Sequence, residues 1–284
     1  MTEKEHYKAA AKAIKDADAL IFSSGAGMGV DSGLPDFRGD EGFWNAYPPI
    51  AKLGHSFIDM ANPRWFQTNP KLAWAFYGHR FNLYRETKPH KGFSQQLQMD
   101  NDKPYGYFVF TSNVDGQYQK AGFSNESIAE VHGSIHHFQC ANRCSRDIWK
   151  APDEDVAIDE ERFEALEPLP ACPNCGGLAR PNILMFGDWG WISKRTGEQE
   201  ERMEAFFDQF DSGHKFAIIE TGAGRGVPTV RRFSERVSRM LKAPLIRINP
   251  REPGLASSYE SSMAFTTGAA ETIDNIYREY QKLL

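Results

Sequence analysis

The chain has 284 residues, 40% of them hydrophobic, and 33 basic against 38 acidic side chains give a formal net charge of −5. That length and apolar content can bury a substantial core, as one large domain or a large one with a small appendage. The acidic balance argues against a nucleic-acid partner held through its backbone. Residues 1–18 are charged and amphipathic without the apolar core of a secretory signal, and no later apolar run approaches the ~18 residues of a membrane span, so a cytoplasmic protein without a membrane partner is expected.

Residues 3–16 read as a surface helix with Ala and Ile on one side. Ala19-Leu20-Ile21-Phe22 then forms a short strand that runs into Gly25-Ala26-Gly27, where glycines let backbone N–H groups approach a pyrophosphate. With Gly33 arriving late, this satisfies the dinucleotide fingerprint only loosely, and alone it serves a phosphate loop or an ordinary tight turn. Residues 42–101 turn aromatic and helical, with helix starts at Asn62-Pro63 and Asn69-Pro70. The second opens a long helix whose apolar stripe runs through Leu72, Ala75, Phe76, His79 and Leu83, ended by Pro89.

Residues 105–110 are aromatic and β-branched enough for a buried strand, leading into Thr111-Ser112-Asn113-Val114-Asp115-Gly116. A strand over 128–131 delivers His132-Gly133 to the same edge, and polar side chains just beyond strand carboxyl ends are where an open α/β sheet binds ligands. The acidic stretch 151–168 reads as a solvated loop or short helix, after which residues 180–188 are expected to return to the main sheet. A helix over 197–210, a strand over 216–219 ending in Thr221-Gly222-Ala223-Gly224, a helix over 228–241, a strand over 245–248 ending in Asn249-Pro250 and a last helix from about Gly268 complete the chain. This alternation predicts an α/β fold with a parallel sheet covered by helices on both faces.

The four cysteines fall in two close pairs, Cys140-x-x-x-Cys144 and Cys172-x-x-Cys175. In a reducing compartment such pairs favour a metal over disulfides, and four thiolates suit a closed, structural, tetrahedral Zn²⁺ site. Glycine after the last ligand, in Cys175-Gly176-Gly177, lets the backbone turn under the metal. A lone histidine reads by default as packing or surface. His132 differs because it follows a strand, precedes a glycine and stands just ahead of the first cysteine pair, whereas His136 and His137 alternate along a strand entering the zinc module and read as structural.

In order along the chain, Gly25-Ala26-Gly27, Ser32-Gly33, Pro35-Asp36-Phe37-Arg38-Gly39, Asn113-Val114-Asp115, His132-Gly133, the cysteine pairs and Asn249 closely resemble the sirtuins, the NAD-dependent protein deacylases. The resemblance spans nearly the whole chain. It implies a Rossmann-like NAD-binding domain from residues 1–42, 104–134 and 183–284, and a small domain from a helical module, 43–103, and a zinc-binding module, 135–182. It implies that Gly25, Ala26 and Gly27 hold the NAD diphosphate, that Asp36, Phe37 and Arg38 shape the wall around the nicotinamide ribose, and that Ser112, Asn113 and Asp115 hold the nicotinamide carboxamide and ribose. Gly222, Ala223, Gly224, Asn249 and Ala270 would lie along the adenosine half, with His132 the general base and Asn113 its catalytic companion. The implied reaction transfers the acyl group of a protein or peptide lysine to ADP-ribose and releases nicotinamide; NAD hydrolysis, ADP-ribosyl transfer and a non-catalytic NAD sensor are the alternatives.

Three positions depart from the family pattern. Gly29 stands where a serine is usual, Ser112 replaces a glutamine, and the Gly222–Pro228 loop is short. Tyr77-x-x-Arg80 puts two long polar side chains on one helix face and resembles the class III sirtuins, which remove succinyl and malonyl groups. Arg80 would pair with an acyl carboxylate while Tyr77 donates its hydroxyl. Asp188-Trp189-Gly190-Trp191 is bulky where the resemblance places the peptide groove.

Overall fold

The computed structural model describes residues 2–35, 39–52, 54–255, 259 and 261–284. In chain order they form α1 (Glu3–Lys15), β1 (Ala19–Ser24), α2 (Gly39–Ala46), α3 (Pro48–Lys52), α4 (Phe57–Met60), α5 (Trp65–Thr68), α6 (Pro70–Glu86), α7 (Lys91–Met99), β2 (Tyr107–Thr111), α8 (Gln117–Lys120), β3 (Ile128–Glu130), β4 (Gly133–Cys140), β5 (Ile148–Lys150), β6 (Ile158–Asp159), β7 (Glu164–Ala165), β8 (Ala179–Ile183), α9 (Lys194–Asp208), β9 (Phe216–Thr221), α10 (Thr229–Leu241), β10 (Leu245–Ile248), β11 (Met263–Phe265) and α11 (Ala269–Gln281).

Every residue of β1 and β9 is buried, as expected of strands covered on both faces, where apolar runs replace alternation. Among the described residues these strands sit in a six-stranded sheet of order β11-β10-β9-β1-β2-β3, and all its pairings are parallel. The chain lays β2 and β3 on one side of β1, then β9, β10 and β11 on the other. The order therefore reverses at β1, and the crevice beyond the carboxyl ends of β1 and β9 is where such a sheet takes its ligand.

One face of the sheet packs Leu20, Phe22, Val109 and Ile219 against α1, α7 and α11, through Tyr7, Ala10, Phe93, Ile273 and Ile276. The opposite face packs Ile21, Phe108 and Ile218 against α9 and α10, through Met203, Phe233 and Val237. A capping box of Thr2 and Glu5 opens α1, and Asn69 caps α6 with Pro70 in its first turn, so both starts are written in local side chains.

A third cluster lies outside the sheet and joins α6 (Trp74, Phe76, Tyr77, Phe81) to Ile135 and Phe138 of β4 and to Val156, Phe163 and Ala165. Two expectations are corrected here. Residues 180–183 do not return to the main sheet: β8 pairs antiparallel with β4, in a separate sheet of order β5-β4-β8. The acidic stretch is largely exposed, as a solvated loop would be, but it holds no helix and is not loop throughout: β6 and β7 make a short hairpin, and Val156 and Phe163 enter the core, where the missing side chain of Gly78 makes room for Val156. No described helix is long and apolar enough to cross a membrane.

Candidate active site and metal centre

A cavity of about 900 Å³ opens beyond the carboxyl ends of the parallel strands and extends toward α6 and the loop after β8. Its floor is a backbone contact between two glycine loops. The Gly25 N–H donates to Thr221 O (3.0 Å) and the Gly27 N–H to Gly222 O (3.1 Å), while the Gly222 N–H reaches Ile248 O (2.9 Å). A Cβ on Gly222, whose φ is +65°, would stand 2.4 Å from Gly27 C and Met28 N; one on Gly25 would meet Gly222 O at 2.9 Å. The two loops can approach so closely only as glycine. Gly25, Ala26, Gly222, Ala223 and Gly224 all line the cavity.

Gly27, Asn249 and Ala270 are not among the residues that line it. The Asn249 side chain is fully buried. Its amide donates to Ala223 O (2.8 Å) and its oxygen accepts from the Arg251 and Glu252 N–H groups, so it ties the loop after β9 to the loop after β10. The Ala270 N–H is committed to the Asp31 carboxylate (2.7 Å), which joins the start of α11 to the first glycine loop. Asp36, Phe37 and Arg38 lie outside the described residues.

The loop after β2 supplies Ser112, Asn113 and Asp115 to the cavity. Asn113 donates its side-chain amide to Gly25 O (3.1 Å). Ser112 is held by its own N–H on Ser24 O (3.1 Å). Asp115 is buried and accepts from the Gln117 N–H, while its carbonyl takes a hydrogen bond from His136 Nε2 (2.9 Å), the structural role expected of that histidine. Burial pushes the Asp115 carboxyl up to about 6, with the nearby Glu130 charge acting in the same direction.

His132 follows β3 and lines the cavity. Its carbonyl accepts from the Leu184 N–H (2.9 Å), and Gly133 must be glycine, because its φ is +79° and a Cβ would lie 2.0 Å from Asn182 O. Burial alone holds the imidazole below its ordinary pKa, so it is neutral at pH 7 and can accept a proton. Its Nε2 lies 3.5 Å from the Thr229 hydroxyl.

The far end of the cavity is made of α6 side chains. Tyr77, Arg80 and Tyr84 line it, on one helix face as their spacing of three and four requires. Arg80 Nε donates to the Tyr84 hydroxyl (3.1 Å), and its guanidinium lies between 5.3 and 5.6 Å from the ring centroids of Phe76, Tyr77 and Tyr84. The Tyr77 hydroxyl is buried and has no hydrogen-bond partner among the described residues. The last carbonyls of this helix, on Tyr84 and Arg85, and that of Thr87 all accept from Lys120 Nζ, which pins the end of α6 to α8, the helix that follows Asn113 and Asp115.

Tyr84 escaped the sequence reading although it stands four residues after Arg80, a spacing that would have found it. Thr229 gave no such signal, since its contact with His132 spans 97 residues. At the cavity rim Asp188 is tied by both carboxylate oxygens to Arg180 and accepts from the Gly190 N–H (3.0 Å). In the bulky segment after it, Trp189 lines the cavity and is 95% exposed.

The four cysteine sulfurs lie within 4.8 Å of one another, with Cys140 and Cys175 3.7 Å apart and Cys144 and Cys172 3.6 Å apart. Tetrahedral Zn²⁺ with Zn–S bonds of about 2.3 Å sets its sulfurs about 3.8 Å apart, so the group fits a closed zinc site. Gly176, with φ +68°, makes the turn beneath it.

The Sir2 family model matches residues 25–205. The chain is 28% identical to an NAD-dependent protein deacylase of Aquifex aeolicus over 262 residues, covering 91% of this chain and 93% of the relative. It is 33% identical to an NAD-dependent protein deacylase of Pyrococcus abyssi over 180 residues, 63% of this chain and 64% of that one. Among solved structures, a Sir2 homolog–NAD complex aligns at 25% identity with a TM-score of 0.73, covering 100% of this chain and 95% of the other. With the glycine loops, the neutral histidine and the cysteine cluster in these positions, and with the family's match covering well over half of its length, this chain belongs to the Sir2 family.

Proposed function

We propose that this chain is an NAD-dependent lysine deacylase that prefers acyl groups ending in a carboxylate, carried on a protein or peptide lysine. The observation that carries the acyl preference is the Tyr77 hydroxyl, buried in the cavity wall without a partner and three residues from Arg80 on the same helix face. A buried donor left unmade costs about 1–3 kcal/mol, which a ligand oxygen would recover. Burial pushes Tyr77 up to about 12, so it meets that ligand as an O–H donor, and the adjacent guanidinium matches a carboxylate.

NAD supplies an electrophilic ribose carbon with nicotinamide as leaving group, and the acyl carbonyl oxygen is the nucleophile. The residues of this chain position the pair and exclude water, which must provide most of the rate for so weak a nucleophile. Gly25 and Gly222 bring together the two loops whose backbone at Ala26, Ala223 and Gly224 takes the diphosphate; Asn113 and Asp115 take the nicotinamide end. Gly27, Asn249 and Ala270 hold the loops. His132, neutral through burial, accepts the proton of a ribose hydroxyl. The NAD unit is assigned to residues 1–42, 104–134 and 183–284, and the small domain to 43–103 with 135–182; the separate apolar cluster around α6 and β4 supports that division. Thiolates at metal-binding spacing fit a cytoplasmic location.

Nicotinamide release from succinyl-lysine and acetyl-lysine peptides tests the proposal. Release should depend on peptide, kcat/KM should favour the succinyl peptide by ~10- to 100-fold, and Arg80→Gln should remove that difference. Equal rates unaltered by the substitution would sink the acyl preference. Peptide-independent release would mark an NAD hydrolase, and no release a sensor. His132→Ala should lower turnover by ~100-fold or more with the fold intact.

A further inference from the structure

Among the described residues, His132 is a base without a carboxylate to orient it. Glu130, two residues earlier, is paired with Arg195, and Asp115 accepts from the Gln117 N–H; Arg231 of α10 is spent on Glu252 O. Burial is the one cause that moves the imidazole's pKa. A neutral imidazole carries its proton on either nitrogen, and a base needs a lone pair on the nitrogen that faces the substrate. Some neighbouring group has to make that choice.

Thr229, the first residue of α10, is placed to do so. Its hydroxyl lies 3.5 Å from His132 Nε2. The turn that carries it is fixed independently of His132: Phe233 stacks on Phe110 of β2 at 3.7 Å, the Ser234 hydroxyl meets that of Ser23 on β1 at 2.8 Å and donates to Val230 O, and Arg231 donates to Glu252 O. His132 is fixed from the other side, by the Leu184 N–H on its carbonyl and by the close approach of Gly133 to Asn182. Two rigid elements thus bring a hydroxyl and an imidazole nitrogen together.

We propose that Thr229 is a positioning residue for His132. Its hydroxyl donates to Nε2 in the resting enzyme, which places the ring proton on Nδ1 and keeps the lone pair on Nε2, where the incoming ribose hydroxyl replaces it as donor. When Nε2 has taken the ribose proton, the same hydroxyl rotates and accepts from the new N–H. A hydroxyl can serve both states, whereas a fixed donor or acceptor serves one. This inference rests on the reading of His132 as the base.

The experiment uses the zinc-loaded full chain, with imidazole ¹⁵N shifts for the tautomer of His132 and steady-state kinetics on a succinyl-lysine peptide. Thr229→Val should move the neutral ring toward the Nε2–H form and lower kcat ~10-fold with KM for NAD within ~2-fold, the loss expected for one hydrogen bond. Thr229→Ser should restore both. A wild-type tautomer in Thr229→Val, an unchanged kcat, or a serine variant as impaired as the valine one would each overturn the proposal. His132→Ala separates the two readings. If it retains turnover the base assignment falls, whereas a dead His132→Ala beside a fully active Thr229→Val overturns the positioning role alone.

Discussion

The end of the cavity under β1 and β9 is made of backbone, and the end under α6 is made of side chains. At the first, Gly25 and Gly222 bring two loops into van der Waals contact and tie them by backbone hydrogen bonds, with no room for a side chain between them. At the second, Tyr77, Arg80 and Tyr84 offer hydroxyls and a cation from one helix face, packed among aromatic rings. A backbone surface suits a ligand part common to every turnover, because its geometry tolerates no substitution. A side-chain surface can be altered one group at a time, which suits the part of the substrate that defines specificity. Changes at the first end should cost fold and cofactor together, and changes at the second should retune the enzyme.

Gly222→Ala tests this most severely. A methyl group at φ +65°, 2.4 Å from backbone atoms that cannot rotate away, should destabilise the protein by about 3 kcal/mol or more and abolish measurable NAD binding. Gly25→Ala should be milder. That residue has an ordinary φ of −111° and its nearest clash is 2.9 Å, so a loss of about 1–2 kcal/mol is expected in denaturant unfolding. Equal losses would show that left-handed strain does not govern this contact.

The same contrast explains what the sequence disclosed. The glycine loops, the cysteine pairs and His132-Gly133 were legible because backbone-built features need particular residues at fixed spacing: glycine at positive φ in Gly133 and Gly222, thiolates with two or three residues between them. Tyr77 and Arg80 were legible through helical spacing. Motif position does not say which way a side chain points, so the contacts of the Asn249 amide with Ala223 O and of the Ala270 N–H with Asp31 were not legible. Strand partners were equally hidden. Residues 180–183 read as a strand of the main sheet, but antiparallel pairing with β4 is decided by the cluster around Phe138 and Trp74, which no local pattern encodes. Strands of two residues, as in β6 and β7, are too short to show a period at all.

Asp115 lies between the two ends, and its charge sets a smaller effect. Its carboxyl sits at about 6 in the folded protein against 3.8 for the free group, because burial disfavours the ionised form. The unfolded chain therefore releases this proton first, and the residue subtracts stability progressively as pH rises from about 4 to about 6. Asp115→Asn, which keeps an oxygen for the Gln117 N–H, should match the wild type near pH 4 and exceed it by up to about 3 kcal/mol at pH 8, while losing turnover. A constant difference across that range would place the effect in packing instead of charge.

Tyr77→Phe should give the smallest change and the sharpest view of the α6 end. The hydroxyl is buried and unpartnered, and its removal leaves the ring contacts with Phe66 and Phe76 in place. Deleting an unmade donor relieves its desolvation, so the free enzyme should gain about 1 kcal/mol in denaturant unfolding. The same change should cost ~10-fold in kcat/KM on succinyl-lysine peptides and nothing on acetyl-lysine peptides, since under the proposed acyl preference only an acyl carboxylate would reach the hydroxyl. The opposite signs matter. A group that only packed the helix would lose stability when trimmed and would leave acyl selectivity unchanged, whereas a group held ready for a ligand destabilises the empty protein and contributes when the ligand arrives.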